Sequence, residues 1–262
     1  MTYLMEGLRE GPRLLAQEAA NPSAARLRLT GLAPGHFCVD VGCGAGAVTG
    51  AMADIVGPSG AVVAFDASAE RLALARQHLA GQGNITFVQG ELPNTGLPVA
   101  SFDYAWCQFV LEYLKDPRTS LAELVRLVKP GGRVVVSEID GFGLAYWPSP
   151  PVVEAGREKF LSALASTGFD LFIGRKLFGL FQEVGLVDVK VHLTPFHVTA
   201  GAADEQLLVD WMTRFDALAP VMVPAFGGEA AYRTFSQAYL DLLADPQAFK
   251  YSVILTVEGK RR

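Results

Sequence analysis

Charge of one sign, cysteine and long apolar runs are all scarce in this 262-residue chain, and each scarcity removes a class of partner. Lysine and arginine number 22 against 27 acidic residues, a formal charge of -5, and no block of like charge exceeds the terminal Lys260-Arg261-Arg262. With no basic face, nucleic acid is not expected as a partner. No apolar stretch reaches the roughly 20 residues that span a bilayer, and the opening residues lack a basic-then-apolar signal. The expectation is therefore a cytoplasmic protein with no membrane partner. The three cysteines, Cys38, Cys43 and Cys107, form no C-x-x-C and have no histidines at ligand spacing, so no disulfide framework and no metal site are expected. They are expected to be small buried hydrophobes, although Cys43 lies where a helix N-terminus can stabilise a thiolate. His36 opens the first predicted strand, and four residues at roughly 3.3 Å each put it about 13 Å from that strand's far end.

Hydrophobic residues make up 50% of the chain, enough for a large core in one soluble domain. The most informative segment is 39–50, Val-Asp-Val-Gly-Cys-Gly-Ala-Gly-Ala-Val-Thr-Gly, where an apolar strand carrying Asp40 meets a loop with glycine at 42, 44 and 46. A loop so bare of side chains lets backbone N–H groups and the next helix N-terminus approach a polar or anionic ligand. A nicotinamide site uses G-x-G-x-x-G, but position 47 is Ala47, so only the weaker alanine form matches and that alternative stays open. Residues 61–66, Ala-Val-Val-Ala-Phe-Asp, read as a second buried strand ending in a carboxylate about two dozen residues past Gly42. An acid at the end of strand two can accept both ribose hydroxyls of a nucleoside cofactor. Asp66 can equally cap the helix predicted over 69–80, a role also open to Ser68.

The pattern Asp40-x-Gly42-x-Gly44-x-Gly46 resembles the class I S-adenosylmethionine (SAM) dependent methyltransferases, in which this loop wraps the methionine part of the cofactor. Further segments match in order: Gly90-Glu91-Leu92-Pro93 stands where the family usually has Gly-Asp-Leu-Pro, and 101–114 resembles its fourth strand and following turn. Asp116-Pro117 reads as a helix cap with proline at N1, and Lys129-Pro130-Gly131-Gly132 as the end of that helix before a strand from Arg133 to Ile139. The resemblance, covering residues 36–140, implies an α/β Rossmann-like doubly wound sheet of seven strands, the last antiparallel, with helical lid insertions. It implies a single domain over 1–262: an N-terminal helical cap over 1–30, a SAM-binding core over 31–140, and lid segments at 141–185 and 200–246 that form the acceptor site. The implied cofactor residues are Asp40, Gly42, Cys43, Gly44, Gly46, Asp66 with Ala67, Gly90, Glu91 and Leu92 near the adenosine, Gln108 and Phe109 near the sulfonium, and Tyr3 and Arg13 from the cap. Glutamate at 91 departs from the family's aspartate, and both Glu91 and Arg13 can instead be solvated surface charges.

An aromatic or carbonyl environment suits a cation such as the S-methyl group. The lids hold many Phe, Tyr and Trp residues; such stripes at helical spacing usually pack a core, yet around an opening they favour a hydrophobic or aromatic acceptor. Methyl transfer is an in-line displacement whose rate rests largely on positioning, with a general base optional. Asp140, just beyond strand five, and Tyr146 are the candidate catalytic groups, Asp140 alternatively a turn aspartate before Gly141. The expected activity is SAM-dependent methylation of a small molecule, slightly favouring oxygen, by a monomer or homodimer, yielding S-adenosylhomocysteine. Two alternatives remain: a non-methylating rearrangement or cyclisation on the same fold, and a nicotinamide-dependent oxidoreductase.

Overall fold

A computed structural model describes residues 22–262. They divide into two compact units. One holds the described residues up to Glu138 together with Ile173–Leu193 and Leu255–Arg262; the other holds Ile139–Phe172 and Thr194–Ile254. The expected lid segment 141–185 thus divides at Phe172, its later part belonging to the first unit.

Seven strands form one mixed sheet: β1 (Phe37–Val41), β2 (Ala61–Asp66), β3 (Ile85–Gln89), β4 (Phe102–Gln108), β5 (Val128–Trp147), β6 (Val187–Ala200) and β7 (Phe249–Lys260). Their order is β3-β2-β1-β4-β5-β7-β6, with β7, the last in sequence, antiparallel. The central pairs are parallel, with Val39 opposite both Val63 and Ala105. Near-continuous apolar runs such as Ala-Val-Val-Ala-Phe suit strands covered on both faces. Alternate residues accordingly enter different cores: Val39, Ala105, Val134 and Val136 join one cluster, while Cys38, Tyr104, Trp106 and Val135 join another.

In the first unit, helices α1 (Ala24–Leu29), α2 (Ala47–Val56), α3 (Ala69–His78), α4 (Pro117–Leu127) and α6 (Ile173–Glu183) flank these strands. Local chemistry sets their starts. Ser68 accepts the Arg71 N–H at 3.2 Å to cap α3, and Asp116 accepts the Thr119 N–H at 3.1 Å ahead of Pro117 at N1 of α4. The α4 cap matches the sequence expectation; of the two cap candidates for α3, the serine is used. Ile173, Leu177 and Phe181 recur at helical spacing and bury against Leu121 and Leu124 of α4, which is why this stretch sides with the first unit.

Strand β5 begins five residues earlier than expected. Val128 already pairs with Phe102, residues 129–132 bulge out with Gly131 at φ 80°, and pairing resumes at Arg133 opposite Tyr104. The strand also runs on to Trp147, past the expected end at Ile139.

The second unit packs α5 (Pro151–Ser166), α7 (Glu205–Phe226) and α8 (Glu229–Ala244) around Trp211, Phe215, Met222, Tyr232, Phe235 and Tyr239. The aromatic stripes of the segments expected as lids are therefore largely core. Among the described residues no helix is long and apolar enough to cross a membrane.

Candidate active site

Because β3, β2, β1 and β4 are adjacent and parallel, their C-terminal ends share one edge, where Gln89-Gly90, Asp66, Gly42 and Gln108 meet. Ligands of open α/β sheets bind at this edge.

The loop after β1 is tied to the end of β2. The Gly42 and Cys43 N–H groups donate to the Phe65 carbonyl at 2.7 and 3.0 Å, and the Gly44 N–H donates to Asp66 Oδ2 at 2.8 Å. Asp66, only 6% exposed, also accepts the Ser68 N–H on Oδ1 at 2.8 Å. Each carboxylate oxygen has a second lone pair, so Asp66 can still accept from a ligand. Gly42 and Gly46 adopt left-handed φ values of 80° and 83°. A Cβ on Gly42 would stand 2.3 Å from Val110 Cγ2, and one on Gly46 2.8 Å from Leu79 Cδ1. Sterics thus enforce a loop of bare backbone, a cradle suited to a ligand that must approach closely. Asp40, buried at the end of β1, accepts the Thr49 hydroxyl on Oδ2 at 2.6 Å, fastening the first turn of α2 to the strand.

After β3, the Gly90 N–H donates to the Asp66 carbonyl at 3.1 Å, and Phe65 lies where a side chain at 90 would go. Glu91, exposed, bridges Asn94 in a tight antiparallel turn, with Leu92 half-buried against the core. Gln89 Nε2 donates to the Ala67 carbonyl at 3.1 Å, linking the ends of β2 and β3.

After β4 the backbone turns sharply, with Phe109 at φ 55°. The Phe109 N–H donates to the Ser137 carbonyl at 3.0 Å, and the Val110 and Leu111 N–H groups both donate to Glu138 Oε1, at 3.0 and 2.8 Å. Buried Arg26 on α1 donates to Gln108 Oε1 at 3.2 Å and to Ser137 Oγ at 3.4 Å. Thr49, Arg26 and Glu138 were not among the residues singled out from sequence. A signal for Glu138 existed, since it is the lone acid in the apolar run Val134-Val135-Val136-Ser137-Glu138-Ile139, and a buried acid needs partners. Tyr3 and Arg13 lie outside the described residues.

Burial, reinforced by Asp40 and then Asp66, pushes the Cys43 thiol well above its ordinary pKa, and burial does the same to Cys38 and Cys107. None offers a thiolate at neutral pH, so a cysteine nucleophile is disfavoured. Among the described residues no three His, Cys, Asp or Glu side chains gather as a metal set.

Asp140 and Tyr146 belong to the second unit. The Gly141 N–H donates to the Leu171 carbonyl at 3.0 Å. Tyr146 Oη donates to Glu154 Oε1 at 2.8 Å, and burial together with Glu154 raises the phenol pKa, so Tyr146 keeps its proton. A shallow depression of about 20 Å³, room for little more than one water molecule, is lined by Phe142, Trp211, Tyr239, His197, Lys250 and Ser252, among others. The Phe142 and Trp211 rings stack at 5.2 Å, with the Arg214 guanidinium 4.9 Å from the Phe142 centroid. Burial lowers the pKa of Lys250, whose Nζ donates to the carbonyls of Gly201, Leu242 and Leu243 at 3.0, 3.3 and 2.9 Å. With all three ammonium protons committed, Lys250 anchors the end of α8 rather than acting as a base.

Residues 39–136 match the family described as "Methyltransferase domain". The chain is 32% identical over 213 residues to an uncharacterised 37.1 kDa protein of transposon Tn4556 from Streptomyces fradiae, covering 80% of this chain but only 58% of that one. It is 32% identical over 189 residues to the demethylmenaquinone methyltransferase of Bacillus licheniformis, covering 68% of this chain and 80% of that protein. Identity reaches 34% over 115 residues with a ubiquinone/menaquinone biosynthesis C-methyltransferase from Ectopseudomonas mendocina, across 43% of this chain and 45% of that one. The fold matches the crystal structure of a SAM-dependent methyltransferase from Aquifex aeolicus with TM-score 0.54 at 16% identity, over 96% of this chain and 98% of that chain. A glycine cradle tied to a strand-end carboxylate on such a fold accords with these likenesses: the chain belongs to the class I SAM-dependent methyltransferases, and its cofactor is SAM.

Proposed function

We propose that the chain transfers the methyl group of SAM to a ring carbon of a small, apolar, quinone-like acceptor. The observation that carries this reading is the likeness to a demethylmenaquinone methyltransferase over 80% of that protein's length. A relative named as a C-methyltransferase favours carbon over the oxygen acceptor expected from sequence.

SAM supplies an electrophilic methyl group on a sulfonium and leaves as S-adenosylhomocysteine. The chain's own residues bind and orient. In this reading the 42–46 backbone, with Asp40 and Cys43 beside it, holds the amino-acid end, and Asp66 accepts the ribose hydroxyls. Glu91 accepts from the adenine amino group, with Ala67, Gly90 and Leu92 as its surroundings, and Gln108 and Phe109 face the sulfonium. Tyr3 and Arg13, outside the described residues, are the remaining cofactor residues of this reading, Arg13 for the methionine carboxylate. Asp140 takes the acceptor's proton, and Tyr146, with its proton engaged by Glu154, orients rather than abstracts. The partner is a small molecule, and the protein works as a monomer or homodimer.

The test is turnover with methyl-labelled SAM against reduced naphthoquinones, phenols and amines. A product whose labelled methyl gives a carbon-bound NMR signal, formed with equimolar S-adenosylhomocysteine, is expected. An oxygen-bound methyl refutes the carbon assignment, and acceptor conversion without S-adenosylhomocysteine points to rearrangement or cyclisation.

A further inference from the structure

Glu138 lies at the end of the first unit's share of β5, fully buried, and none of the chemistry above uses it. Its Oε1 accepts two consecutive backbone N–H groups, Val110 at 3.0 Å and Leu111 at 2.8 Å, while the neighbouring Ser137 carbonyl accepts the Phe109 N–H at 3.0 Å. Three successive amides of the turn after β4 are thus fixed by two residues of β5. The turn needs such fixing, because Phe109 sits at φ 55°, a left-handed conformation that a non-glycine residue adopts only under constraint. Val110 in turn rests on the glycine loop so closely that a methyl group on Gly42 would lie 2.3 Å from its Cγ2.

We infer that Glu138 is a positioning residue: its carboxylate sets the height of the 108–111 turn, and Val110 transmits that height to the glycine loop, so turn and loop form one pre-organised wall of the cofactor site. The inference rests on the reading that Gln108, Phe109 and the glycine loop bound SAM. Arg26 seconds the arrangement by donating to Gln108 Oε1 and Ser137 Oγ from α1, fixing the Gln108 side chain as Glu138 fixes the backbone. Deleting an acceptor that two buried N–H groups share frees the turn to move, and binding must then reorder it.

Glu138→Ala and Glu138→Gln separate positioning from charge, since a glutamine oxygen can accept the same two N–H groups. Glu138→Ala is expected to weaken SAM binding about tenfold or more by calorimetry and to speed hydrogen exchange at the Val110 and Leu111 amides in the absence of ligand. Glu138→Gln should stay within about threefold of wild type, because most of the geometry survives. A folded Glu138→Ala protein with wild-type SAM affinity and unchanged exchange overturns the inference. If Glu138→Ala does not fold, a double-mutant cycle decides. Gly42→Ala should weaken SAM binding, and adding Val110→Ala, which leaves the Val110 Cβ at an ordinary 3.5 Å from the new methyl, should recover part of that loss. Additive losses overturn the coupling. A wild-type chain without affinity for SAM overturns the cofactor reading and this inference together, whereas wild-type binding matched by Glu138→Ala overturns this inference alone.

Discussion

Asp66→Ala tests both the anatomy of the glycine loop and the assignment of the ribose contact. In the free protein the carboxylate accepts two backbone N–H groups, from Gly44 and Ser68, both at 2.8 Å. Removing it leaves the Gly44 N–H buried without an acceptor, a loss of about 1–3 kcal/mol, while the half-exposed Ser68 N–H recovers a partner from water at the low end of that range. The sum is about 2–4 kcal/mol of unfolding free energy, which for a chain of this size lowers Tm by about 5–10 °C. SAM binding should suffer separately. Loss of charge-assisted bonds to the ribose hydroxyls costs about 1–3 kcal/mol, a factor of roughly 5–150 in Kd. Scanning calorimetry without ligand reads the first effect and titration calorimetry the second. An unchanged Tm refutes the anchoring argument, and a lowered Tm with wild-type SAM affinity refutes the ribose assignment. Asp66→Asn sharpens the comparison, since its single carbonyl oxygen can hold one of the two N–H groups.

Other consequences are equally direct. Gly44→Val places a β-branched residue at φ 53° and should abolish SAM binding; retained affinity by calorimetry would show that the loop does not approach the cofactor as argued. Asp140→Asn should lower kcat about a hundredfold or more while SAM affinity is kept, and wild-type kcat removes Asp140 as the base. Tyr146→Phe loses one hydrogen bond to Glu154, about 0.5–1.5 kcal/mol, and should leave the pH dependence of kcat unaltered; a lost basic limb would mean that the phenol titrates in turnover. The buried thiols make stability fall on the alkaline side. Their folded pKa values lie above the ordinary 9.0, so above about pH 9 the unfolded chain binds fewer protons than the folded one, and each thiol removes about 1.4 kcal/mol per pH unit. Urea midpoints at pH 7.5 and 10 should therefore differ, and Cys107→Ala should flatten the slope; an identical slope in that variant excludes the thiol as its source.

Much of the strand-end edge proposed to hold the cofactor was legible along the chain because its signals are local. An apolar run ending at Asp40 and followed by alternating glycines, a second run ending at Asp66, and Asp116-Pro117 opening a helix each state their geometry within a few residues. The choice between Asp66 and Ser68 as helix cap was open in the sequence, because both lie within capping reach of α3. The structure uses Ser68, directly before Ala69, while Asp66 accepts the Gly44 N–H, 22 residues away, once the loop folds back on β2. The segments expected as lids were harder to read, since an aromatic residue at helical spacing looks the same whether it lines an opening or fills a core. Packing placed Trp211, Phe215 and Phe235 in the core and left Trp147 71% exposed.

By itself, then, the sequence determined the order of strands and helices, the bare loop and the carboxylates that end two strands, because backbone preference, capping and alternation act between near neighbours. Only the tertiary structure decided that Glu138 holds the Val110 and Leu111 amides from 28 and 27 positions away, that Arg26 reaches Gln108 across 82, and that Lys250 spends its protons on carbonyls. The reason is physical: a buried polar group must find a partner wherever the fold brings one, and which partner arrives depends on strand order and register rather than on spacing along the chain.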